Sequence, residues 1–393
     1  MQQTEVRRLD DVPDRTSWRP QRDTMVFIGY QVALFVVICI FSYHFYGTNV
    51  SRLSFQFRQW DPSWYLSIAH HGYQPNGARP AAIAFFPLYP ALIRLVMIVV
   101  PKDVIAAFIV TGVTSVIGHV AFYRALKSRP ELAPIADNSM VLLAVWPTAI
   151  YFSLLYTESL YLMVTALFLY FLFQDRLGWA AVAAAFAAMT RQPGFLCLAP
   201  LGLWIIMDTQ RPWIDRVKRL AWGGVAASGY VVFLIINKIV YNDWFAFSHQ
   251  LTEHWKKKVV SLTQSIPDAI HYLQHPQWKP FGWPEIADQY LVLATPLLLL
   301  AWAIVCRRQF DRTRWVLLAW AAVQWFTIAS AGSPVPGFSW LSSTRYLMLV
   351  LPLYVAIVDL CRNRKVIVYA LASVSVVFAL MLVERWITWK WAA

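Results

Sequence analysis

The sequence predicts an all-α protein that crosses a membrane about eleven times, and three observations predict it. Of its 393 residues, 59% are hydrophobic and only 14% charged, a balance too apolar for a soluble domain. Apolar runs approaching the roughly 20 residues that span a bilayer recur along most of the chain, and in lipid such runs satisfy their backbone as helices. Basic residues gather between the runs, as they do in loops held on one side of a membrane.

Taken in order, the apolar segments lie near 25–46, 81–100, 103–123, 137–153, 158–173, 179–190, 194–207, 222–241, 288–306, 315–331, 345–360 and 366–383. Between them stand six basic groups: five Lys/Arg in residues 1–24, Arg124 with Lys127 and Arg129, Arg176, Arg211 through Arg219, Arg307 through Arg314, and Arg362 with Arg364 and Lys365. They hold 20 of the 34 basic residues, which places all six in the cytoplasm. Parity then forbids both 81–100 and 103–123 from crossing. Segment 81–100 carries Pro87, Pro90 and Arg94, so it is expected to be re-entrant or only partly spanning. This leaves about eleven crossings, within a range of about ten to twelve. Asp61, Glu158, Arg191 and the loop 332–344 then share the outer side.

The chain reads as one domain, 1–393. Residues 1–24 form a cytoplasmic tail, 47–80 a first outer loop with short interfacial helices, and 242–287 a large outer loop. Residues 1–24 are polar and mixed in charge, so no cleavable signal peptide is expected. The net charge of +13 fits cytoplasmic loops and anionic headgroups, with no nucleic acid implied. Cys39, Cys197, Cys306 and Cys361 are far apart and read as small core residues.

The stretch from Gln59 to Tyr73 sets a carboxylate beside two Trp and a Tyr. It reads as a short helix, with Asp61 as N-cap, Pro62 at the first position and Gly72 at the end. The face Trp64, Tyr65, Ile68 suits a membrane interface. On residues alone Asp61 is either a cap or a site acid. In Phe85-Phe86-Pro87-Leu88-Tyr89-Pro90 two prolines break the helix and present Tyr89 at membrane depth, which is tolerated where backbone lines a cavity. Glu158, beside an apolar run, is costly unless paired or wet; it is a site acid or an acid favoured by the helix dipole. Arg191 interrupts an apolar stretch and needs an anion, either a lipid phosphate or an ion pair with Asp61 or Glu158. Lys256, Lys257 and Lys258 break the charge bias of the outer side and meet headgroups, a lipid phosphate or solvent. His70 and His71 lack a third ligand at zinc-like spacing, so no metal and no cofactor is expected.

Trp60-Asp61 followed by Leu66-Ser67-Ile68-Ala69 and Gly72-Tyr73 resembles the first luminal loop of the PIG-V type of GPI mannosyltransferase and its bacterial relatives, which are GT-C membrane glycosyltransferases. The Phe85–Pro90 element resembles the one that follows this loop in that family. Tyr156-Thr157-Glu158-Ser159, Thr190-Arg191 with Gly194, a loose Phe247…Gln250…Trp255 pattern and Arg345-Tyr346 are similar to later elements in the same order. Gln192-Pro193 departs from the usual polar pair.

The resemblance implies a GT-C fold and an inverting transfer of a mannose-like hexose at the outer membrane face. The donor is a polyprenyl-phosphate sugar and the acceptor a lipid or glycan. Asp61 is the expected base. Arg191 and Arg345 stabilise the departing phosphate, and Trp60, Trp64 and Tyr73 cover sugar faces. Tyr89, Glu158, Gln250 and Tyr346 complete the expected substrate site. A lipid or oligosaccharide transporter is the rival reading, and an inactive glycosyltransferase-like subunit a third. Polar motifs gathered at one side, with no inverted repeat, favour the enzyme. The expected setting is a bacterial plasma membrane, or the endoplasmic reticulum membrane in a eukaryote.

Overall fold

The computed structural model describes residues 22–47, 54–275, 282–332, 340–388 and 390. Residues 1–21 of the tail, and parts of the outer loops at 48–53, 276–281 and 333–339, lie outside the described residues. What is described is helical, with one isolated antiparallel bridge between Val259 and Ala331.

The chain enters as α1 (Arg22–Tyr46), followed by the interfacial α2 (Asp61–His71), a 3-10 turn at Pro80–Ala84 and α3 (Leu88–Met97). Then come α4 (Asp103–Lys127), α5 (Ala136–Ala144), α6 (Glu158–Phe173), α7 (Leu177–Thr190) and α8 (Leu198–Ile206). After the short surface helix α9 (Trp213–Arg219) and α10 (Trp222–Tyr241), two helices fill the large outer loop, α11 (Ala246–Glu253) and α12 (Leu262–Gln274). The chain closes with α13 (Trp283–Val305), α14 (Arg312–Ala329), α15 (Ser343–Leu347), α16 (Pro352–Leu360) and α17 (Lys365–Ile387).

Among the described residues, α4, the stretch Trp213–Tyr241, α13 and α17 are long and apolar enough to cross a membrane. Ten residues make α3, about 15 Å of helix. That is half a hydrocarbon core, and α3 lies between α2 and α4. Other expected segments are broken rather than continuous. Segment 137–153 stops being α-helical at Val145, two residues before Pro147, and segment 345–360 is split ahead of Pro352. In each case a proline removes a backbone donor that a continuous helix would need.

Close helix pairs organise the centre. A Cβ on Gly118 would lie 2.8 Å from the Met163 nitrogen, so α4 and α6 approach backbone to backbone. Gly229 meets the Ala185 carbonyl in the same way and brings α10 onto α7. Small residues at such crossings let dispersion and packing hold helices together in lipid, where apolar burial gives no drive. The buried core, from Phe122 through Leu160 and Phe168 to Trp320 and Tyr354, is continuous beneath the turns that carry the polar residues.

Candidate active site

The helix α2 begins at Asp61, one residue later than a cap would sit. Its N-cap is Trp60, held at φ 59° and making no side-chain cap bond, with Pro62 at the second helical position. The expected capping role of Asp61 is therefore corrected. Ser63 closes the first turn on the Trp60 carbonyl, Oγ to O at 2.8 Å. The Asp61 carboxylate is left to point away, and its Oδ2 accepts from Arg345 Nη2 at 3.0 Å.

Arg345 joins Asp61 to a second acid. Its Nε donates to Glu158 Oε1, and Arg191 Nη1 donates to the same oxygen at 2.5 Å and to Thr157 Oγ1 at 3.2 Å. Glu158 is fully buried at the first position of α6. Aromatic faces complete the surround: the Arg345 guanidinium lies 4.4 Å from the Tyr156 ring and 4.7 Å from Tyr151, and Arg191 lies 5.2 Å from Tyr346. Two carboxylates and two guanidiniums balance. Of the two partners open to Arg191 at the sequence level, a carboxylate or a phosphate, the structure supplies Glu158. Lys257 adds one positive charge at the edge, with Nζ 3.5 Å from the Tyr346 hydroxyl and 5.8 Å from its ring centre. Lys256 and Lys258 are exposed and stand apart.

Arg345 is aimed by a residue that the motifs did not mark. Asp288, fully buried on α13, accepts from the Thr344 amide at 2.6 Å and the Thr344 hydroxyl at 2.7 Å. Thr148 Oγ1 and Trp146 Nε1 donate to the Thr344 carbonyl at 3.3 and 3.4 Å. The backbone before Arg345 is thus bound from both sides, with Ser342 in the left-handed region at φ 62°. A carboxylate one turn after Glu285, at the start of an apolar segment, was the available signal.

An aromatic wall borders the cluster. Trp64 stacks on Phe85 with centroids 5.5 Å apart and meets Trp255 at 5.4 Å, while the Arg79 guanidinium lies 4.8 Å from the Trp64 ring. Tyr73 donates to the Phe85 carbonyl at 2.6 Å. Tyr89 is fully buried, with its hydroxyl 2.8 Å from Thr111 Oγ1 and its ring against Tyr65. Tyr73 and Tyr89 therefore brace this wall from behind. Gln250 acts through its carbonyl, which accepts from the His254 and Trp255 amides at 2.9 and 3.3 Å; that ends α11 and turns Trp255 onto Trp64. Trp60 is half-buried against the core. His70 sits apart with Asp103, Nε2 to Oδ2 3.0 Å, and Arg58 grips the same carboxylate. Among the described residues no three His, Cys, Asp or Glu side chains gather as metal ligands do.

No family model and no curated protein matches this chain. A solved structure does. ArnT from Cupriavidus metallidurans, crystallised with undecaprenyl phosphate bound, superposes with a TM-score of 0.51 at 15% identity. The match covers 85% of this chain and 59% of that one. The two share a fold. At this identity the likeness is one of architecture, and it makes the protein an integral membrane protein of GT-C-like build. The present chain spans 59% of the length of ArnT.

Proposed function

We propose that this chain is a GT-C membrane glycosyltransferase that moves a sugar from a polyprenyl-phosphate donor to a lipid or glycan acceptor, with inversion. One observation carries the reading: the Asp61 carboxylate projects from a helix start into a half-open place, linked through Arg345 to a buried Glu158–Arg191 pair. A fold shared with a structure that holds undecaprenyl phosphate supports the donor class. A mannose-like hexose and kinship with the PIG-V type rest on the motifs alone, as does placement in a bacterial plasma membrane.

The chemistry asks little of the protein. The acceptor oxygen attacks the anomeric carbon as the bond to the phosphate oxygen breaks, and the phosphate leaves with the electron pair. Asp61 takes the acceptor proton, a service that contributes about 10²–10⁴ in rate. Charge growing on the phosphate needs cations already in place. Arg345 and Arg191 are there, but Asp61 and Glu158 offset them. The positive surplus sits on Lys257, 3.5 Å from the Tyr346 hydroxyl. An incoming phosphate can take the place of Asp61 on Arg345 Nη2, share Lys257, and free Asp61 for the acceptor. Trp64, Phe85 and Trp255 offer flat faces for sugar rings.

The test is to give the purified protein a panel of polyprenyl-phosphate sugars with lipid-linked acceptors and to measure released polyprenyl phosphate and glycosylated product. Release coupled to product is the expected result. Binding and flipping of the lipid without cleavage, across the whole panel, would return the transporter reading.

A further inference from the structure

Three connections, 128–135, 306–311 and 361–364, meet at the end of the bundle remote from Asp61. Helix α6 leads there from Glu158 over 16 residues, about 24 Å, and α16 leads the same way from just beyond Arg345. Between these connections lies a cavity of about 720 Å³ whose lining includes Glu131, Ile135, Val305, Arg308, Asp359 and Arg362. That volume is in the range of small-molecule sites. Its position is separate from the cluster around Asp61.

The acids of the cavity are already matched. Asp359 takes the fork of Arg314, at 2.9 and 3.3 Å, and Trp302 Nε1 at 3.0 Å. Glu131 takes Arg129 Nε at 2.8 Å and Thr313 Oγ1 at 2.6 Å. Arg308 and Arg362 add two positive charges, and among the described residues neither enters an ion pair. Each guanidinium carries five donors suited to phosphate oxygens. The backbone points the same way. Arg362 is held in the left-handed region at φ 51°, where a helix end ordinarily uses glycine. Asn363 clamps the turn, donating to the Pro134 carbonyl at 2.9 Å and accepting from Asn138 at 2.5 Å. A side chain kept where it strains the backbone is a candidate for a role of its own.

Pro134, Ile135, Val305 and Cys306 give the lining an apolar side. Val305 and its neighbour Ile304, on the last turn of α13, are 58% and 60% exposed and continue this apolar side outward. An anion with an apolar tail fits both halves. We infer that this cavity binds the phosphate of an anionic phospholipid between Arg308 and Arg362, with its acyl chains along Ile304 and Val305. Free inorganic phosphate shares the headgroup chemistry and lacks the chains.

The experiment titrates the full chain in detergent with phosphatidylglycerol, phosphatidylcholine or inorganic phosphate and reads bound lipid by native mass spectrometry, with the thermal midpoint as a second readout. Saturable phosphatidylglycerol binding is expected, weakened about tenfold or more in Arg308→Gln/Arg362→Gln. Arg364→Gln/Lys365→Gln removes two neighbouring charges outside the cavity lining and should bind as the parent does. Arg308→Lys/Arg362→Lys keeps the charge, loses the fork and should fall between, which covers the case of a glutamine pair that does not fold. Equal loss in the 364/365 pair would mean a diffuse basic face and overturn the site. Undiminished binding by either 308/362 pair would do the same. Phosphatidylcholine binding as tightly, or inorganic phosphate displacing the lipid at equal concentration, would remove the anionic-lipid assignment.

Discussion

Arg345 touches both carboxylates of the cluster, and this makes the two acids separable by experiment. The Asp61 side chain is 30% exposed against 7% for Arg345, so it meets solvent at the edge of the cluster, and Arg345 keeps Glu158 as a partner when the Asp61 charge is removed. Asp61→Asn keeps shape and hydrogen bonding, so the thermal midpoint should barely move while transfer falls about 10²–10⁴-fold; near-normal turnover would end the base assignment. Glu158 is the reverse case. Glu158→Gln leaves two guanidiniums sharing a buried place without their anion, and breaking a buried pair costs about 3–5 kcal/mol. Reduced yield and a lowered midpoint are expected there, whatever happens to turnover. The shared oxygen also changes how Arg191→Lys and Arg345→Lys must be read. Non-additive stability losses follow from Glu158 alone, so the phosphate role is tested by binding of undecaprenyl phosphate against undecaprenol. Loss confined to the phosphate form supports it; equal loss for both assigns the arginines to structure. Far from the cluster, Glu131 carries a pH signature. Burial pushes its carboxyl up, but hydrogen bonds from Thr313, its own amide, Asp311 and Arg129 hold it down at about 2, below its ordinary 4.5, while Asp311 beside it is raised and keeps the proton the two acids share. A depressed acid stabilises the fold above its unfolded value and loses that contribution as pH falls. Between pH 4.5 and about 2 the parent should lose stability more steeply than Glu131→Gln, and parallel melting curves would contradict this.

Elements were legible where one run maps to one helix. Segment 222–241 is α10 with the same bounds, and 158–173 is α6 with the same bounds. Legibility failed at half-helices, because hydropathy does not register that a proline or a sharp turn has cut an apolar run. The site was legible in the same uneven way. Asp61, Glu158, Arg191 and Arg345 stood out as charges in apolar surroundings, and the structure brings all four together. Asp288 and Lys257 depend on how distant elements meet, which spacing along the chain does not encode. The break after Arg191 shows what such turns do. Gly194 lies so close to the Ala187 backbone that a Cβ would overlap it. Gly194→Ala must therefore push the 3-10 turn Gln192–Cys197 off α7 and carry Arg191 away from Glu158. A loss of about 1–3 kcal/mol is expected from overpacking, together with a fall in transfer. Gly72→Ala is the comparison: φ 70° and ψ −166° there are backbone angles that almost only glycine adopts, but the space is open, so the cost is backbone strain of roughly 1–3 kcal/mol and turnover should survive. A Gly194→Ala variant with both properties intact would show that Arg191 is not placed by this turn.

At the scale of the whole molecule, charge is sorted by end. Around Asp208 gather Arg211 at 3.0 Å, Arg219 at 3.3 Å and Arg312 at 3.7 Å, and Arg211 and Arg219 also hold Asp175 at 3.1 and 2.5 Å. Two basic groups far apart in sequence, Arg211 through Arg219 and Arg307 through Arg314, thus converge at one end, the end of α6 away from Glu158. At the other end Tyr241 reaches back to the Pro80 carbonyl at 2.8 Å, and Val260 bonds to Ser330 at 2.9 Å. The first outer loop, the large outer loop and the turn before Arg345 are thereby tied around the Asp61 cluster. The positive-inside rule predicts how these ends sort across a bilayer: residues 1–24 and 208–221 in the cytoplasm, 47–80 and 242–287 outside. The outer assignment matters for the proposed mechanism, in which a donor with a long polyprenyl tail would reach Asp61 from the leaflet that the cluster faces. Single cysteines placed at exposed sites, Thr209 for one side and Thr252 for the other, on a background lacking Cys39, Cys197, Cys306 and Cys361, can be probed with a membrane-impermeant maleimide in intact cells. Labelling at 252 with protection at 209 is the expected pattern. Labelling of both from outside would break the charge rule here, and the inverse pattern would turn the cluster toward the cytoplasm and require a donor presented from that leaflet.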